Sequence, residues 1–395
     1  MTRLPSIEEA LELVLAHAAP LGAEDVPVDE AAGRVLAADA CAAVDLPPFA
    51  SSAMDGYAVR AADAPGTLVV VGHAAAGAPS DRSVGPGEAI GISTGAVVPD
   101  GADAVVPVEV ARREGDTVTV ESVAQSDNIR SRGGDVRAGD LVVEAGTRLG
   151  PPQLGALAAV GLAAVSCGRR PRVAVLATGS ELRRPGEPLG PGEIYESNTT
   201  LLAAQLRDAG AEPVVLGPVA DDEQATRDAL AEGLRHDVLV SSGGVSMGEH
   251  DLVRDALAGL GSREVFWRVA VKPGKPVSFG VAGSTLVFGL PGNPVSSLVG
   301  FELFVRPALR ALQGDRAPGP RFRPGVLAAA VRRDEGRDQL LRARSRVEGG
   351  ALVLDPLGGQ ESHMIGRAAA ADALVLVRQG PGELAAGAPV SYLPI

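Results

Sequence analysis

The chain alternates between three patterns of apolar and polar positions, and each predicts a different kind of element. Ser6 stands before Ile7-Glu8-Glu9, and Leu11, Val14 and Leu15 follow at helical spacing, which predicts an N-capped helix over residues 6–19. Two short strands are expected around Asp29 and Val35. From Leu46-Pro-Pro-Phe49 to about Val136 the pattern turns to strands over 67–71, 88–92, 104–110 and 117–123, punctuated by Gly, Pro and Asp. Residues 150–165 read as a helix with proline near its start, expected to pack back on the N-terminal helix and close a discontinuous domain.

A second regime opens at Arg172-Val-Ala-Val-Leu-Ala177, a near-continuous apolar strand ending in Thr178-Gly-Ser-Glu181. Helices over 198–209 (with Ser197 as its cap), 222–234, 251–260 and 294–312 alternate with strands over 213–216, 237–240, 264–271 and 285–289. Such alternation predicts a mostly parallel sheet covered on both faces. After residue 318 the pattern is again strand-like, over 325–331, 339–347, 351–354, 373–377 and 389–393, which suggests a small closed or sandwich-like β-domain.

Composition narrows the picture. A chain of 395 residues is long for one domain, and 46% hydrophobic residues suffice for several cores, although with 3% aromatics those cores must be aliphatic. A formal charge of -13 argues against nucleic acid or an anionic membrane surface as the partner. Cys41 and Cys167 fit neither a metal site nor a disulfide framework, so a reducing cytoplasm is expected. No run of about 20 apolar residues suited to a membrane span occurs, and the N-terminus reads as an amphipathic helix rather than a signal peptide. The five histidines form no metal cluster and pair with no activated Ser or Cys, and neither a Walker motif nor a dinucleotide-binding glycine fingerprint is present.

Against this acidic background the chain has only two lysines, Lys272 and Lys275, in Lys-Pro-Gly-Lys-Pro, while the rest of its 36 basic residues are arginine. Glycine and proline fix the backbone between them, so the pair suits an oxyanion; a solvated turn is the plain alternative. In a doubly wound sheet ligands bind beyond the carboxyl ends of the strands. That rule gathers Thr178–Glu181, Asp221-Asp222, the Ser241-Ser-Gly-Gly-Val-Ser-Met-Gly-Glu-His-Asp251 run, the lysine loop and Leu290-Pro-Gly-Asn-Pro-Val-Ser296 on one rim. The bare glycine turns favour an anion through Ser242, Gly243, Gly244, Ser246, Pro291, Gly292, Asn293 and Pro294. Glu181, Asp221 and Asp251 are candidate Mg²⁺ ligands, with helix capping the competing role for Asp221 and Asp222. Trp267 reads as core rather than a stacking surface.

Taken together with Ser51-Ser-Ala-Met-Asp-Gly-Tyr-Ala-Val59, the run from Gly91-Ile-Ser-Thr to Asp103-Ala-Val105, and Asn128-Ile-Arg130, these motifs resemble, in order and over the whole chain, the molybdopterin molybdenumtransferases (MoeA and the gephyrin E domain). The resemblance implies a multidomain α/β plus β fold. Its parts are a discontinuous N-terminal domain (1–44 and 137–168), an inserted β-rich domain (45–136), a mostly parallel three-layer α/β domain (169–315) and a C-terminal β-barrel (316–395). It also implies a homodimer, molybdate and adenylylated molybdopterin as substrates, AMP as product, Mg²⁺ as cofactor, and a molybdopterin adenylyltransferase as a partner. Carried over position by position, Asp55 and Thr94 face the site across the dimer, Asp135 is a further acidic position, and Glu181, Asp221, Arg268 and Lys272 serve binding or turnover, with Lys275 in the same motif. The chain departs from the family at Arg268, where lysine is frequent, and at Gly134, where an acid is common; 360–370 follows the family's Gly/Ser-rich pattern only loosely. Two other readings compete: a non-catalytic pterin-binding or scaffold protein on the same fold, and a nucleotide-pyrophosphate hydrolase.

Overall fold

A computed structural model describes residues 3–244 and 252–395. Six strands form the central sheet in the spatial order Glu212–Val219, Arg172–Thr178, Val238–Ser242, Thr285–Leu290, Ser278–Ala282 and Arg263–Trp267. The first four are parallel; the last two turn back as an antiparallel hairpin edge. The three inner parallel strands are buried on both faces and read as apolar runs, as in Val173–Ala177 and Val238–Val240, while the edge strand Glu212–Val219 is only partly buried. The strand expected over 264–271 therefore stops at Trp267, and Ser278–Ala282 is a strand the sequence reading left inside the lysine loop. Because Arg263–Trp267 is antiparallel to an antiparallel strand, it points the same way as the parallel four. The lysine loop that follows it accordingly leaves from the carboxyl edge.

The N-terminal helix Ile7–Leu15 carries the expected capping box, with the Glu9 amide donating to Ser6 Oγ (3.2 Å) and the Ser6 amide to Glu9 Oε2 (2.8 Å). Its packing differs from expectation. Ile7, Ala10 and Val14 are buried in the α/β core beside Phe304, Leu309 and Leu312, whereas Leu157 of the helix Pro151–Ala159 is buried in a separate cluster with Val26, Val28, Leu36, Val143 and Val165. That cluster is framed by Ala23–Pro27 paired antiparallel to Ala164–Gly168 and Ala40–Cys41 paired to Leu141–Val143. The strands expected near Asp29 and Val35 are instead a 3-10 turn over Val28–Glu30 and isolated bridges at Val35 and Leu36, because Pro27 and Gly33 break the extended run.

The inserted segment forms a six-stranded sheet, in the order Ala104–Pro107, Gly56–Val59, Glu88–Ile92, Gly66–Ala74, Thr117–Val120, Ala111–Glu114. Alternate residues supply a core on each side: Tyr57, Val59 and Val106 on one, Ala58, Ile90 and Val105 on the other. The C-terminal segment closes a five-stranded barrel, since Asp338–Glu348 pairs with both Ala351–Pro356 and Ala373–Val377, and the ring is completed through Arg323–Leu327 and Pro389–Pro394. Leu340, Leu374, Leu376 and Leu393 of the barrel share the α/β core, so the two units are joined by buried apolar surface.

At the amino edge of the sheet, Asp237 accepts two bonds from Arg169 (3.1 and 2.7 Å) and one from the Arg172 amide (2.7 Å). Burial pushes its carboxyl up, but these bonds outweigh burial and hold it below the usual carboxylate range. A depressed folded-state value adds stability that is complete above the unfolded value of about 4 and lost as pH falls through the folded one. Asp237→Asn is therefore expected to lower the unfolding free energy by about 1–2 kcal/mol at pH 7. The gap from the unsubstituted chain should shrink below about pH 4 in urea titrations; a gap independent of pH would refute this assignment.

Candidate active site

Thr178 ends the second strand of the sheet order, and the chain turns at once through Gly179-Ser180-Glu181. Gly179 has φ +155, and a Cβ there would lie 2.6 Å from the Glu181 carboxylate, so only glycine lets Glu181 fold over its own turn. The turn is fastened to the neighbouring loop by a reciprocal pair: the Ser180 amide donates to Asp221 Oδ2 (3.1 Å) and the Asp221 amide donates to Ser180 Oγ (3.0 Å). Asp222 caps the next helix by accepting from the Ala225 amide (2.8 Å). The two adjacent aspartates are thus divided between the roles the sequence left open, with Asp221 at the turn and Asp222 at the cap.

The third strand delivers Ser242, Gly243 and Gly244 beside this turn. Gly243 has φ +92, and a Cβ would stand 2.7 Å from the Thr178 carbonyl. Gly292 of the Pro-Gly-Asn-Pro turn comes within 3.7 Å of the Gly243 Cα, measured from the Cβ it lacks. Asn198 ties the loops together: its Nδ2 donates to Ser242 Oγ (2.7 Å) and to the Gly292 carbonyl (2.7 Å), while its buried Oδ1 has no partner among the described residues. Ser297 Oγ donates to the Pro291 carbonyl (2.5 Å), and Ser242 Oγ lies 3.3 Å from that carbonyl. The result is a groove of about 510 Å³ whose walls include Thr178, Glu181, Asn198, Ser242, Gly292 and Asn293. Loops that bring bare amides and hydroxyls together in this way are suited to an anion.

Three contributors escaped the sequence reading. The sequence places Asn198 only as the first residue of a helix, with Ser197 before it as the cap. The capping contacts come instead from buried Glu196, which accepts from the Thr199 amide (2.8 Å) and hydroxyl, while Ser197 makes no side-chain cap bond. The third is the 360–370 segment of the barrel: the Val295 amide donates to the Ser362 carbonyl (3.1 Å), and His363 and Ile365 line the groove.

Other expected site residues lie apart from it. Lys272 pairs through its backbone with Asp338–Gln339 of the barrel, and its ammonium is 4.0 Å from Asp334, in a groove that also includes Arg332 and Arg333. The lysine loop nevertheless comes near the helix that follows the Pro-Gly-Asn-Pro turn, since a Cβ on Gly274 would touch the Ser296 carbonyl at 3.6 Å. Lys275 is exposed on that loop, its carbonyl accepting from the Val269 amide (2.9 Å). The expected single cleft is therefore two separate depressions, one lined by Glu181 and the glycine turns and one by Lys272 and the barrel. Arg268 has a positive φ of +79 and lies 3.7 Å over the Trp267 ring, with Arg254 at 4.7 Å, so the tryptophan is a platform for cations rather than plain core.

Asp55 and Thr94 pair on the inserted sheet: the Thr94 amide (2.6 Å) and hydroxyl (3.0 Å) both donate to Asp55 Oδ1, and these bonds hold the carboxyl below its ordinary range. Both are exposed, as is Asp135, and none of the three lines the Glu181 groove of its own chain. Ser246 and Asp251 lie outside the described residues. Among the described residues no group of three or more His, Cys, Asp or Glu side chains gathers as a metal cage, and no helix is long and apolar enough to cross a membrane.

Comparison with known proteins agrees with this architecture. Residues 5–161 match the family profile described as MoeA N-terminal region (domain I and II), 174–311 match a probable molybdopterin binding domain, and 324–395 match the MoeA C-terminal region (domain IV). The chain is 40% identical over 377 residues to Molybdopterin molybdenumtransferase 2 of Mycobacterium tuberculosis, covering 92% of each chain. It is 36% identical to Molybdopterin molybdenumtransferase of Haemophilus influenzae, covering 95% of this chain and 94% of the other. A solved structure of the MoeA protein from Pyrococcus horikoshii superposes with a TM-score of 0.85 at 29% identity over 100% of both chains. With every segment matched in order, the chain belongs to the MoeA family of molybdopterin molybdenumtransferases.

Proposed function

We propose that this chain inserts molybdenum from molybdate into adenylylated molybdopterin and releases AMP. The observation that carries this reading is the convergence of the Thr178–Glu181, Ser242–Gly244 and Pro291–Asn293 turns on one groove at the carboxyl edge, with the only two lysines on an adjoining loop. Both substrates are anions and the protein carries a formal charge of -13, so binding requires local donors. The glycine-turn amides and hydroxyls of the groove supply neutral ones, and in this reading Lys272 and Lys275 bring positive charge from the lysine loop and Arg268 from the end of its strand.

Glu181 follows Ser180 on its turn, and Asp221 is bonded to Ser180 from the neighbouring loop, keeping one carboxylate oxygen outside that bond. A carboxylate from each of these two adjoining loops would suit a hexacoordinate Mg²⁺ that takes its remaining ligands from water and phosphate oxygens, and Asp251 is a third candidate ligand. The ion would supply charge neutralisation at the phosphoanhydride. The chain's own part is to hold the adenylate and pterin ends in fixed relation and to present donors where charge develops on the departing AMP. In this reading the enzyme works as a homodimer, Asp55, Thr94 and Asp135 approach the groove from the second subunit, and a molybdopterin adenylyltransferase supplies the substrate in a reducing cytoplasm.

The test is direct. Purified chain with adenylylated molybdopterin, molybdate and Mg²⁺ is expected to release AMP in proportion to molybdenum bound. AMP at the protein-free rate would defeat the proposal, and tight binding of the adenylate without turnover would identify the non-catalytic alternative.

A further inference from the structure

The helices that open at the candidate active site, Asn198–Asp208 and the run from Pro294 to Leu312, carry a second concentration of charge at their far ends. At about 1.5 Å per residue, Asp208 stands roughly 15 Å from Asn198 along its helix. There the linker at 318–323 and the last barrel strand enclose a groove of about 550 Å³ lined by Arg306, Arg310, Arg321 and Arg323. Arg306 is satisfied, bonded to Glu302 (2.6 and 2.9 Å) and Asp208 (2.8 Å), and Arg321 pairs with Asp315 (3.1 Å). Arg310 and Arg323 form no ion pair among the described residues. Arg310 makes one bond, from Nη1 to the Gly319 carbonyl (3.2 Å), and its buried Nε has no partner there.

Arg310 is also chemically uncomfortable. Burial, and after it the nearby Arg321 and Arg306 guanidiniums, push it down to about 10. Arg148, beside the same cluster, is lowered chiefly by burial too. A half-buried guanidinium short of partners suits an oxyanion whose oxygens take two of its N–H groups at once, as phosphate does. A surface turn of solvated arginines, common in an arginine-rich chain, would leave them neither desolvated nor unsatisfied.

We propose that this groove binds a phosphate-bearing small molecule at a site separate from the Glu181 groove, with Arg310 and Arg323 as its principal contacts. The volume admits a phosphomonoester as readily as free phosphate, and both share the recognised group.

Calorimetric titration of the full chain with inorganic phosphate, and in parallel with a ribose phosphate, separates the two sources. Arg310→Met is expected to weaken phosphate binding about tenfold or more, and exposed Arg323→Ala, which should fold normally, about threefold or more. The Lys272→Ala/Lys275→Ala double variant should retain the event, which separates it from anion binding near the Glu181 groove. Unchanged affinity in both arginine variants, or loss of the event in the lysine variant, would overturn the proposal. So would a change in sedimentation of the arginine variants with phosphate affinity intact, which would make the groove a contact between copies.

Discussion

Glu181→Gln is expected to lower the rate of AMP release by 100-fold or more while leaving adenylate binding within a few-fold of the unsubstituted chain. The substitution keeps size and removes charge. Because Gly179 is the residue that lets this side chain fold over its turn, glutamine should occupy the same place without moving Thr178 or Ser180. The Ser180–Asp221 fastening does not involve the Glu181 side chain, so the loop should hold its shape. What is lost is a negative charge beside the groove, and removing one well-placed electrostatic group at a reacting centre costs about 10²–10³ in rate. Measuring kcat and KM separately decides the matter: a fall confined to kcat places Glu181 in turnover, whereas a rise in KM with kcat preserved makes it a binding residue. If added Mg²⁺ partly rescues the variant, Glu181 holds the ion; rescue absent at every Mg²⁺ concentration would exclude that role.

Architecture was legible wherever local pattern and global packing agree. The buried parallel strands announce themselves as apolar runs, and the carboxyl-edge rule alone places Thr178–Glu181, Ser242–Gly244 and Pro291–Asn293 together. Elements set by long-range contact were not legible. Ser278–Ala282 is short and carries Gly280 at its middle, which weakens any strand signal; its backbone sits so close to Arg263 that a Cβ would meet that carbonyl at 2.9 Å. Nothing in Ile7–Leu15 says which core its apolar face enters, and it enters the one built 300 residues later by Phe304 and Leu309. The carboxyl-edge rule and the rigid Pro-Gly backbone put Lys272 on the rim, yet the strand Val271–Lys272 pairs with Asp338–Gln339 of the barrel and carries the side chain to a groove there. Asn198 shows the same limit at the site: a polar residue at a helix start has a local use, and only the fold reveals that its amide bridges Ser242 and Gly292.

Mixing two inactive variants should restore activity. Asp55 is exposed yet preorganised, its Oδ1 held by two bonds from Thr94, and the pair lies on the inserted sheet away from the Glu181 groove of the same chain. A carboxylate fixed in this way, with one oxygen bonded and the other left open, gains little for folding at an exposed position and is better explained by a ligand it meets in the assembled molecule. In a two-fold dimer, a residue serving the partner's site on one side serves the reciprocal site on the other. In the homodimer proposed above, Asp55→Asn and Glu181→Gln would each leave two defective sites. A heterodimer has one site with both defects and one with neither. Random reassortment after unfolding and refolding a one-to-one mixture makes half the dimers heterodimers, so AMP release should recover to about a quarter of the unsubstituted rate. Each variant alone should remain near the floor set by the Glu181 substitution. If the mixture stays at the average of the two variants, Asp55 and Glu181 serve the same chain's site or different sites altogether. Recovery without refolding would instead indicate that subunits exchange freely under assay conditions, which size-exclusion chromatography across a dilution series would register as a concentration-dependent mass.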